Sequence, residues 1–324
     1  MNSNYKTYTK ERDDFSTAFQ FVEATALPKD LPISTPLTFA FVGTEVILVE
    51  KRDGQWDIPG GKMEPGEGWI DTLRRETYEE AGVYITHIQT VGYILAKNTG
   101  DLTNAIFPEV NVLPVTISFV TEVDENWVTR ETVGRNIFKR NEAKELLAAR
   151  TDGGQLLEIF EYVCGYFDQQ SFEYTFDYYE KGDFADVPTT QAMVFCRNEE
   201  GKFCIVRDSD ESFFSLPGGG CHLGESGLAC AQREVKEEAQ FDSANIQKVG
   251  TVVVSLLKNG RVISKTKHVR YFADIQNMGD FVPNKDGFEV GERAFVDFDE
   301  LRDKVKLLKN ASGEKVLDSL KKLI

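Results

Sequence analysis

Three glutamates in the first quarter of the chain occupy positions where a helix would bring their carboxylates together. The segment 69–81 has helical spacing and is followed by Gly82, a residue that commonly ends helices. On such a helix Glu76, Glu79 and Glu80 fall on one arc of roughly 100°. Their carboxylates repel one another by a few tenths of a kcal/mol per pair. A hard divalent cation with oxygen ligands would offset this repulsion, so we predict a metal site.

Two turns before the helix would position it. A glycine pair follows Pro59, and a tight turn runs through residues 65–67. At 100° per residue, one narrow stripe of the helix carries its less polar side chains, and we expect this stripe to face the core. The stripe consists of Ile70, Leu73, Thr77 and Ala81.

The complete pattern is longer than the acidic helix. It consists of Gly61, Glu67, Arg75, Glu76, Glu79, Glu80, Gly82 and the apolar Val83. A glutamate-rich helix alone is usually a solvated face, but the length and strict spacing of this pattern argue against that alternative. The pattern resembles the Nudix box, the signature of hydrolases that cleave nucleoside diphosphates linked to another group. One departure is Thr77, where the family usually has an aliphatic residue.

The box occurs twice. Residues 219–241 repeat residues 61–83 with a constant offset of 158 positions. The repeated pattern consists of Gly219, Glu225, Arg233, Glu234, Glu237, Glu238, Gln240 and Phe241. Matching residues continue on both sides of each box, so the repeat covers nearly the whole chain. We therefore predict two homologous domains in tandem, residues 1–168 and 169–324.

Each half shows the same order of strand and helix patterns. The predicted strands are 15–23, 37–42, 45–50, 89–97 and 112–120, then 172–180, 192–196, 203–207, 248–258 and 268–275. Besides the box helices, we expect helices to begin near Glu142 and Glu300 and another to span 156–166. Strands alternating with helices favour a mixed sheet between helices. The resemblance implies the same fold class, α/β, with two tandem Nudix-type α/β/α sandwiches.

The resemblance also implies roles for the box residues. The expected metal ligands are Gly60 (through its carbonyl), Glu76, Glu79 and Glu80 in the first half, and Gly218, Glu234, Glu237 and Glu238 in the second. Glu76 and Glu234 would bind metal or act as general base towards water. Arg75 and Arg233 would hold the carboxylates in place by charge-assisted hydrogen bonds. A surface ion pair is the alternative role for each arginine.

Two further carboxylates are candidates for catalysis. The family often uses an acidic residue from a later loop, and Glu131 and Glu289 occupy matching positions there. A solvated loop glutamate is the alternative for each.

The second box has a departure of its own. Gln240 stands where the first box has glycine, and a left-handed residue other than glycine costs about 1–2 kcal/mol. The carboxylates all persist, which favours a working second site over a degenerate domain kept for stability.

Composition limits the class of partner. A net charge of −16 argues against duplex nucleic acid and anionic membrane surfaces, which call for basic patches. It does not exclude a small phosphate substrate, because a bound metal reverses the local charge. The first residues lack a hydrophobic signal region, and no apolar run approaches the roughly 18 residues of a membrane span. We therefore expect a cytoplasmic protein whose five cysteines are reduced thiols.

These observations predict a hydrolase that uses Mg²⁺ or Mn²⁺ to cleave a small nucleoside diphosphate-X compound. Two alternatives remain open: a nucleotide-binding sensor or scaffold with one or both sites inactive, and an RNA-end processing enzyme. The base, the sugar and X are not specified by the box, and the oligomeric state is open between a two-lobed monomer and a homodimer.

Overall fold

The chain divides into two compact units. The computed structural model describes residues 5–12, 14–103, 106–124, 126–129, 131–151, 154–182, 184–208, 212–222, 224–283 and 290–324. Unit 1 comprises Met1–Glu173 with Leu257–Ser264, and unit 2 comprises Tyr174–Leu256 with Lys265–Ile324. The domain limits at 168 and 169 remain a prediction. Within the described residues, no helix is long and apolar enough to cross a membrane.

Unit 1 is built on a mixed sheet. Its strands are β1 (Thr7–Glu11), β2 (Phe15–Glu23), β3 (Leu37–Val42), β4 (Glu45–Glu50), β5 (Trp56–Asp57), β6 (Val83–Gly100), β7 (Val110–Val123) and β8 (Gly134–Phe138). The described strands run in the order β1-β2-β6-β7-β3-β4-β5, with β8 against β4. Strands β3 and β7 are parallel, whereas β2 and β6 are antiparallel. The helices are α1 (Trp69–Ala81), α2 (Arg140–Ala148) and α3 (Gln155–Gln169).

The sheet of unit 1 buries side chains on both faces. The ring centroids of Phe39 in β3 and Phe160 in α3 are 5.4 Å apart, and those of Phe41 and Phe167 are 4.5 Å apart. Helix α3 therefore packs on this face of the sheet. Since strand side chains alternate, the buried Thr38 lies on the opposite face. Its hydroxyl lies 2.8 Å from the hydroxyl of Ser118.

Unit 2 repeats this plan. Its strands are β9 (Phe172–Tyr179), β10 (Thr189–Arg197), β11 (Phe203–Asp208), β12 (Gly218–Gly220), β13 (Asp242–Lys258), β14 (Arg261–Gln276) and β15 (Val290–Val296). The described strands run in the order β15-β11-β10-β14-β13-β9, with β12 against β10. The helices are α4 (Gly227–Glu234), which continues as the π-helical turn Val235–Ala239, α5 (Leu301–Lys304) and α6 (Ala311–Leu320). Short 3-10 turns span Phe298–Glu300 and Lys306–Leu308.

Two hydrophobic clusters cover the two faces of the unit 2 sheet. Ala192 and Val194 of β10 belong to a cluster with Ala231 of α4. Met193 and Phe195, which alternate with them, belong to a cluster with residues of α6 such as Val316, Leu317 and Leu320. The sheet of unit 2 therefore lies between helices, and the predicted α/β fold class of two sandwiches is confirmed.

Two features differ from what the sequence predicted: the lengths of several strands and the burial of the first residue in the apolar stripe of the box helix. The predicted helix 69–81 is confirmed, and so are the strands 15–23, 37–42 and 45–50. Strands β6, β7, β13 and β14 are longer than predicted. Strand β6, for example, pairs with β7 from Val83 onwards and with β2 as far as Gly100. Ile70 is 37% exposed, so it was wrongly expected to be buried, and its counterpart Leu228 in unit 2 is 44% exposed. Periodicity identifies a helix face but not how far the core extends along the helix axis.

Candidate active sites

The end of α1 is fixed by its own backbone and by a later loop. Gly82 adopts a left-handed conformation (φ 57°), and its N–H donates to the carbonyl of Tyr78 at 2.7 Å. A Cβ on Gly82 would lie 2.1 Å from Arg135 Nη1 and 2.3 Å from Trp127 Cγ. Arg135 also donates to the carbonyl of Ala81. The glycine is therefore required for its conformation and for space.

One guanidinium organises the carboxylates of the first box. Arg75 Nε and Nη2 donate to the two oxygens of Glu67 at 2.8 and 3.0 Å. Its Nη1 donates to Glu76 at 2.8 Å and to Glu79 at 2.9 Å, and Nη2 also reaches the carbonyl of Lys62 at 3.0 Å. The predicted positioning role therefore has a geometric basis, because Arg75 joins the loop to two carboxylates of the helix.

Glu67 is held by the turn that precedes α1. Its carboxylate accepts from the Thr72 hydroxyl at 2.7 Å and from the N–H of Glu64 at 3.0 Å. Hydrogen bonds from Arg75, and then those from Glu64 and Thr72, lower the pKa of Glu67 to about 2. The residue stays ionised and ties the loop to the beginning of the helix.

Glu76 lies under the glycine loop. It is 7% exposed, and a Cβ on Gly61 would come within 2.3 Å of its carboxylate oxygens. Burial raises the pKa of Glu76, and the neighbouring Arg75 opposes that rise. Gly61 is thus needed at this position because only a residue without a side chain leaves room for the carboxylate.

Glu80 is the most buried box carboxylate of unit 1, at 3% exposure. It accepts the N–H of Gly60 at 3.0 Å and forms an ion pair with Lys51. Burial raises the pKa of Glu80, whereas the bond from Lys51 lowers it. Lys51 was not predicted from the sequence, because its proximity to Glu80 depends on the position of β4 in the sheet, directly before Lys51.

The second box repeats these contacts. Arg233 Nε and Nη2 donate to Glu225 at 3.1 and 2.9 Å, and Nη1 donates to Glu234 at 2.7 Å and to Glu237 at 3.0 Å. Glu238 accepts the N–H of Gly218 at 2.8 Å. Both boxes therefore bring their predicted glutamates, arginine and glycine loop together.

The comparisons with known proteins agree with this geometry. The profile of the NUDIX domain matches residues 38–157 and 187–319, which together exceed half of the chain. The chain belongs to the Nudix family. The prediction that it consists of Nudix domains in tandem is confirmed by the two matches.

Curated relatives match parts of this Nudix chain. The uncharacterized Nudix hydrolase YvcI of Bacillus subtilis is 49% identical over 49 residues, which are 15% of this chain and 31% of that protein. The 8-oxo-dGDP phosphatase of Homo sapiens is 48% identical over 44 residues, 12% of this chain and 14% of that protein. The nucleoside triphosphatase NudI of an Enterobacter species is 34% identical over 105 residues, 29% of this chain and 73% of that protein. The chain thus spans less than a third of the first two relatives.

Two solved structures are also similar to parts of this chain. A pyrophosphohydrolase of Bacillus subtilis is 20% identical, with a TM-score of 0.39, and the match covers 47% of this chain and 93% of that one. An ADP-ribose pyrophosphatase of Streptococcus suis is 17% identical, with a TM-score of 0.29, over 42% of this chain and 92% of that one.

The first Nudix box offers carboxylate oxygens to a hard divalent cation. Arg75 Nη1 contacts one oxygen of Glu76 and one of Glu79, and does not occupy the second oxygen of either carboxylate. The four acidic side chains of the first site are contacted by two cationic ones, Arg75 and Lys51, so negative charge is in excess. Mg²⁺ suits such a partial oxygen shell, because it retains several waters.

The predicted loop carboxylates have different outcomes. Glu131 is exposed, and its N–H donates to the Thr129 hydroxyl at 3.1 Å. The adjacent Thr132 donates to the carbonyl of Glu80 at 3.0 Å, so the segment carrying Glu131 contacts the box helix. Glu289 lies outside the described residues.

The second Nudix helix ends differently from the first. Gln240 is left-handed (φ 57°), as its position opposite Gly82 suggested. Its side chain donates to the carbonyl of Val282 at 2.8 Å and accepts the N–H of Val282 at 3.0 Å. Arg293 donates to the carbonyl of Ala239 at 2.6 Å, as Arg135 does to Ala81. Two hydrogen bonds thus offset the strain at Gln240, and the last turn is π-helical.

Two cysteines lie within the second Nudix site. Cys221 of the loop and Cys230 of α4 form a disulfide with Cα atoms 5.2 Å apart, and Arg233 Nη2 lies 3.9 Å from the Cys230 sulfur. The expectation of five reduced thiols is therefore wrong for this pair, because sequence spacing did not show that the loop folds back onto the helix. Cys164, Cys196 and Cys204 are free.

Proposed function

We propose that this protein is a metal-dependent pyrophosphohydrolase that cleaves nucleoside diphosphate-X compounds by attack of water at phosphorus. One observation, present in both units, carries this proposal: an arginine donates hydrogen bonds to three glutamates beside a glycine loop. In unit 1 Arg75 contacts Glu67, Glu76 and Glu79, and in unit 2 Arg233 makes the same contacts with the matching glutamates. The relative named a nucleoside triphosphatase supports a small nucleotide as substrate. The proposed compartment is the cytoplasm.

The proposed metal site consists of four groups in each unit. Glu76, Glu79, Glu80 and the carbonyl of Gly60 would hold Mg²⁺ or Mn²⁺ in unit 1. Glu234, Glu237, Glu238 and the carbonyl of Gly218 would do so in unit 2. When bound, such a cation neutralises phosphate oxygens and lowers the pKa of water.

The protein's own groups position the reacting partners. Arg75 and Arg233 fix the carboxylates before substrate arrives, which reduces the reorganisation needed during the reaction. Glu76 and Glu234, whose pKa values are raised by burial, are suited to hold a metal or to accept a proton from water. Glu131 and Glu289 are the proposed loop carboxylates that would assist this proton transfer.

Substitution of the ligands in each unit tests the proposal. Release of phosphate or nucleoside monophosphate would be followed with Mg²⁺ or Mn²⁺ for nucleoside triphosphates, ADP-ribose, nucleotide sugars and dinucleoside polyphosphates. We expect Glu79→Gln with Glu80→Gln, combined with Glu237→Gln and Glu238→Gln, to lower turnover at least about 100-fold, because a catalytic metal supplies several kcal/mol. Unchanged turnover in the quadruple variant would refute the assignment.

A matched control is available on another helix. Glu145 of α2 is exposed, and Glu145→Gln makes the same type of substitution, with loss of one carboxylate, away from either box. It is expected to leave turnover unchanged. Nucleotide binding without any product in the unmodified chain would instead identify a sensor or scaffold.

A further inference from the structure

A cavity in unit 2 lies on the face of the sheet opposite α4. Its volume is about 480 Å³, and its walls are mainly aromatic and aliphatic. Phe176, Phe213 and Phe214 contribute the aromatic walls, and His268, Arg270 and Lys306 contribute polar groups. Burial lowers the pKa of His268 to about 3, so this imidazole is neutral at physiological pH.

Arg270 is buried in this cavity wall without a close acceptor. It is 4% exposed, and the hydrogen bonds from its guanidinium to the carbonyl of Val269 and to the side chain of Gln191 are long at 3.4 Å. Among the described residues, Nε has no partner at all. Burial lowers the pKa of Arg270 to about 10, which leaves it charged. A buried cation with unmet donors is costly, so the arrangement calls for an acceptor from outside the chain.

Strand register places this arginine beside the catalytic loop. Arg270 is the parallel partner of Met193, and Met193 is paired on its other side with Gly218. Gly218 is the loop residue whose N–H is held by Glu238. Two interstrand spacings, about 10 Å, therefore separate the backbone of Arg270 from the loop of the second box.

The corresponding position of unit 1 is apolar. Gly60 is paired with Leu37, and the parallel partner of Leu37 is Val115, which is fully buried. Val115 thus occupies the place of Arg270. The buried guanidinium is a specific feature of unit 2 and is not required by the fold that the two units share.

We propose that the cavity of unit 2 binds the base of a 6-oxopurine nucleotide, such as a guanine nucleotide, with Arg270 donating to O6 and N7. Nε and Nη2 form a two-donor edge, and a bidentate pair with these two acceptors is a common way for arginine to recognise guanine. The aromatic walls suit the planar ring. Adenine presents a donor at position 6, so one donor would again be left unmatched. The inference rests on the proposed function in taking the ligand to be a nucleotide.

Titration calorimetry on the intact chain tests the proposal with nonhydrolysable ligands. GMP and IMP carry both acceptors, whereas AMP lacks the oxygen and 7-deaza-GMP lacks N7. We expect GMP and IMP to bind at least about fivefold tighter than AMP and 7-deaza-GMP, the lower end of the discrimination known for such pairs. Equal affinities for these four compounds would overturn the proposal.

Arg270→Met then assigns the preference to this side chain. The variant is expected to bind GMP as weakly as AMP while its affinity for AMP is unchanged. Arg302→Met is the control, because Arg302 is exposed and forms a surface ion pair with Glu314. The control should retain the preference for GMP. A preference that persists in Arg270→Met would place base recognition elsewhere and refute the inference.

Ribose 5-phosphate separates base recognition from anion recognition. It carries the charge of the nucleotides without a base, and we expect it to bind no better to the unmodified chain than to Arg270→Met. Binding as tight as that of GMP, lost in Arg270→Met, would show that Arg270 holds an anion and would overturn the proposal.

The folding of Arg270→Met and the proposed hydrolysis can each be tested separately from base recognition. Arg270→Met should unfold at a temperature no lower than that of the unmodified chain, because it removes a buried charge without a counterion. If the variant does not fold, the comparison of GMP with 7-deaza-GMP in the unmodified chain still tests the proposal, because equal affinities would overturn it. Because no hydrolysis is needed, a preference for GMP without turnover would refute only the proposed function, and turnover without the preference would refute only this inference.

Discussion

Single residues determine whether each box can hold its carboxylates. A Cβ at Gly219 would lie 2.6 Å from Glu234 Oε2, much as one at Gly61 would meet Glu76. The adjacent Gly220 has no atom within 4 Å of such a position. The two neighbouring glycines of the second loop therefore differ in the space that surrounds them, although the sequence shows only a run of glycine.

Gly219→Ala is expected to displace the Glu234 carboxylate and to lower Mn²⁺ affinity and turnover of the second site. We expect about a 100-fold loss of turnover, the size of effect that a shift of about 1 Å can have in an active site. Turnover would be measured with the first site inactivated by Glu79→Gln and Glu80→Gln. Gly220→Ala is the matched control, and equal effects of the two substitutions would contradict the spatial argument.

Glu67 links stability to pH. Its pKa in the folded state is lowered from 4.5 to about 2, chiefly by hydrogen bonds from Arg75. A lowered pKa means that the ionised carboxylate stabilises the fold above about pH 4.5 and that this contribution is lost as the pH falls towards 2. Glu67→Gln should therefore lower the unfolding midpoint at pH 7, with a difference that shrinks below pH 4.5.

Tryptophan fluorescence can measure this effect in unit 1. The three tryptophans of the chain, Trp56, Trp69 and Trp127, all lie in unit 1. Denaturant unfolding of the unmodified chain and of Glu67→Gln would be compared between pH 7 and pH 3. A difference that stays constant across this range would contradict the assignment of the stabilising contribution to the carboxylate.

At the scale of elements, the C-terminal ends of the two box helices are stabilised by different sets of hydrogen bonds. In unit 1 the last carbonyls are capped by Trp127, Thr132 and Arg135, and Gly82 fits beneath them. In unit 2 Arg293 caps the carbonyl of Ala239, and the side chain of Gln240 forms two hydrogen bonds with the backbone of Val282. The helix ends are therefore fixed by loops that are remote in sequence.

Gly82→Ala is expected to destabilise unit 1 by more than about 2 kcal/mol, since left-handed strain and overpacking against Trp127 both contribute. Gln240→Gly should change stability by less than about 1–2 kcal/mol, because relief of strain offsets the loss of two hydrogen bonds. The first change would be read from tryptophan fluorescence and the second from far-ultraviolet circular dichroism. A larger loss of stability from Gln240→Gly than from Gly82→Ala would contradict these roles at the helix ends.

At the scale of the whole molecule, two similar sites lie beside different side chains. Arg270 of unit 2 and Val115 of unit 1 hold equivalent register positions next to the glycine loops. The box contacts themselves are nearly the same in both units. We infer that the units share their chemistry and differ in the nucleotides they select.

The two site knockouts should therefore have different substrate profiles. Glu79→Gln with Glu80→Gln leaves the second site, which is expected to favour guanine over adenine nucleotides at least about fivefold in kcat/KM. Glu237→Gln with Glu238→Gln leaves the first site, whose apolar Val115 gives no such preference. Identical profiles from the two double variants would contradict separate specificities.

The spacing of residues along the chain predicted much of this arrangement. The limits of α1 followed from helical periodicity and from Gly82, and the second box followed from a constant offset. These features depend on residues close in sequence or on repetition, so local rules suffice. Ile70 was wrongly placed in the core, because periodicity does not show where the sheet that covers a helix ends.

The sequence by itself determined the family, the duplication, the box helix and the set of acidic residues that come together on it. Only the tertiary structure decided that Lys51 pairs with Glu80, that Arg135 and Arg293 cap the box helices, and that Arg270 is buried without a close acceptor. Each of these depends on which strands become neighbours and in what register. That outcome is set by packing between distant segments, and no local pattern records it.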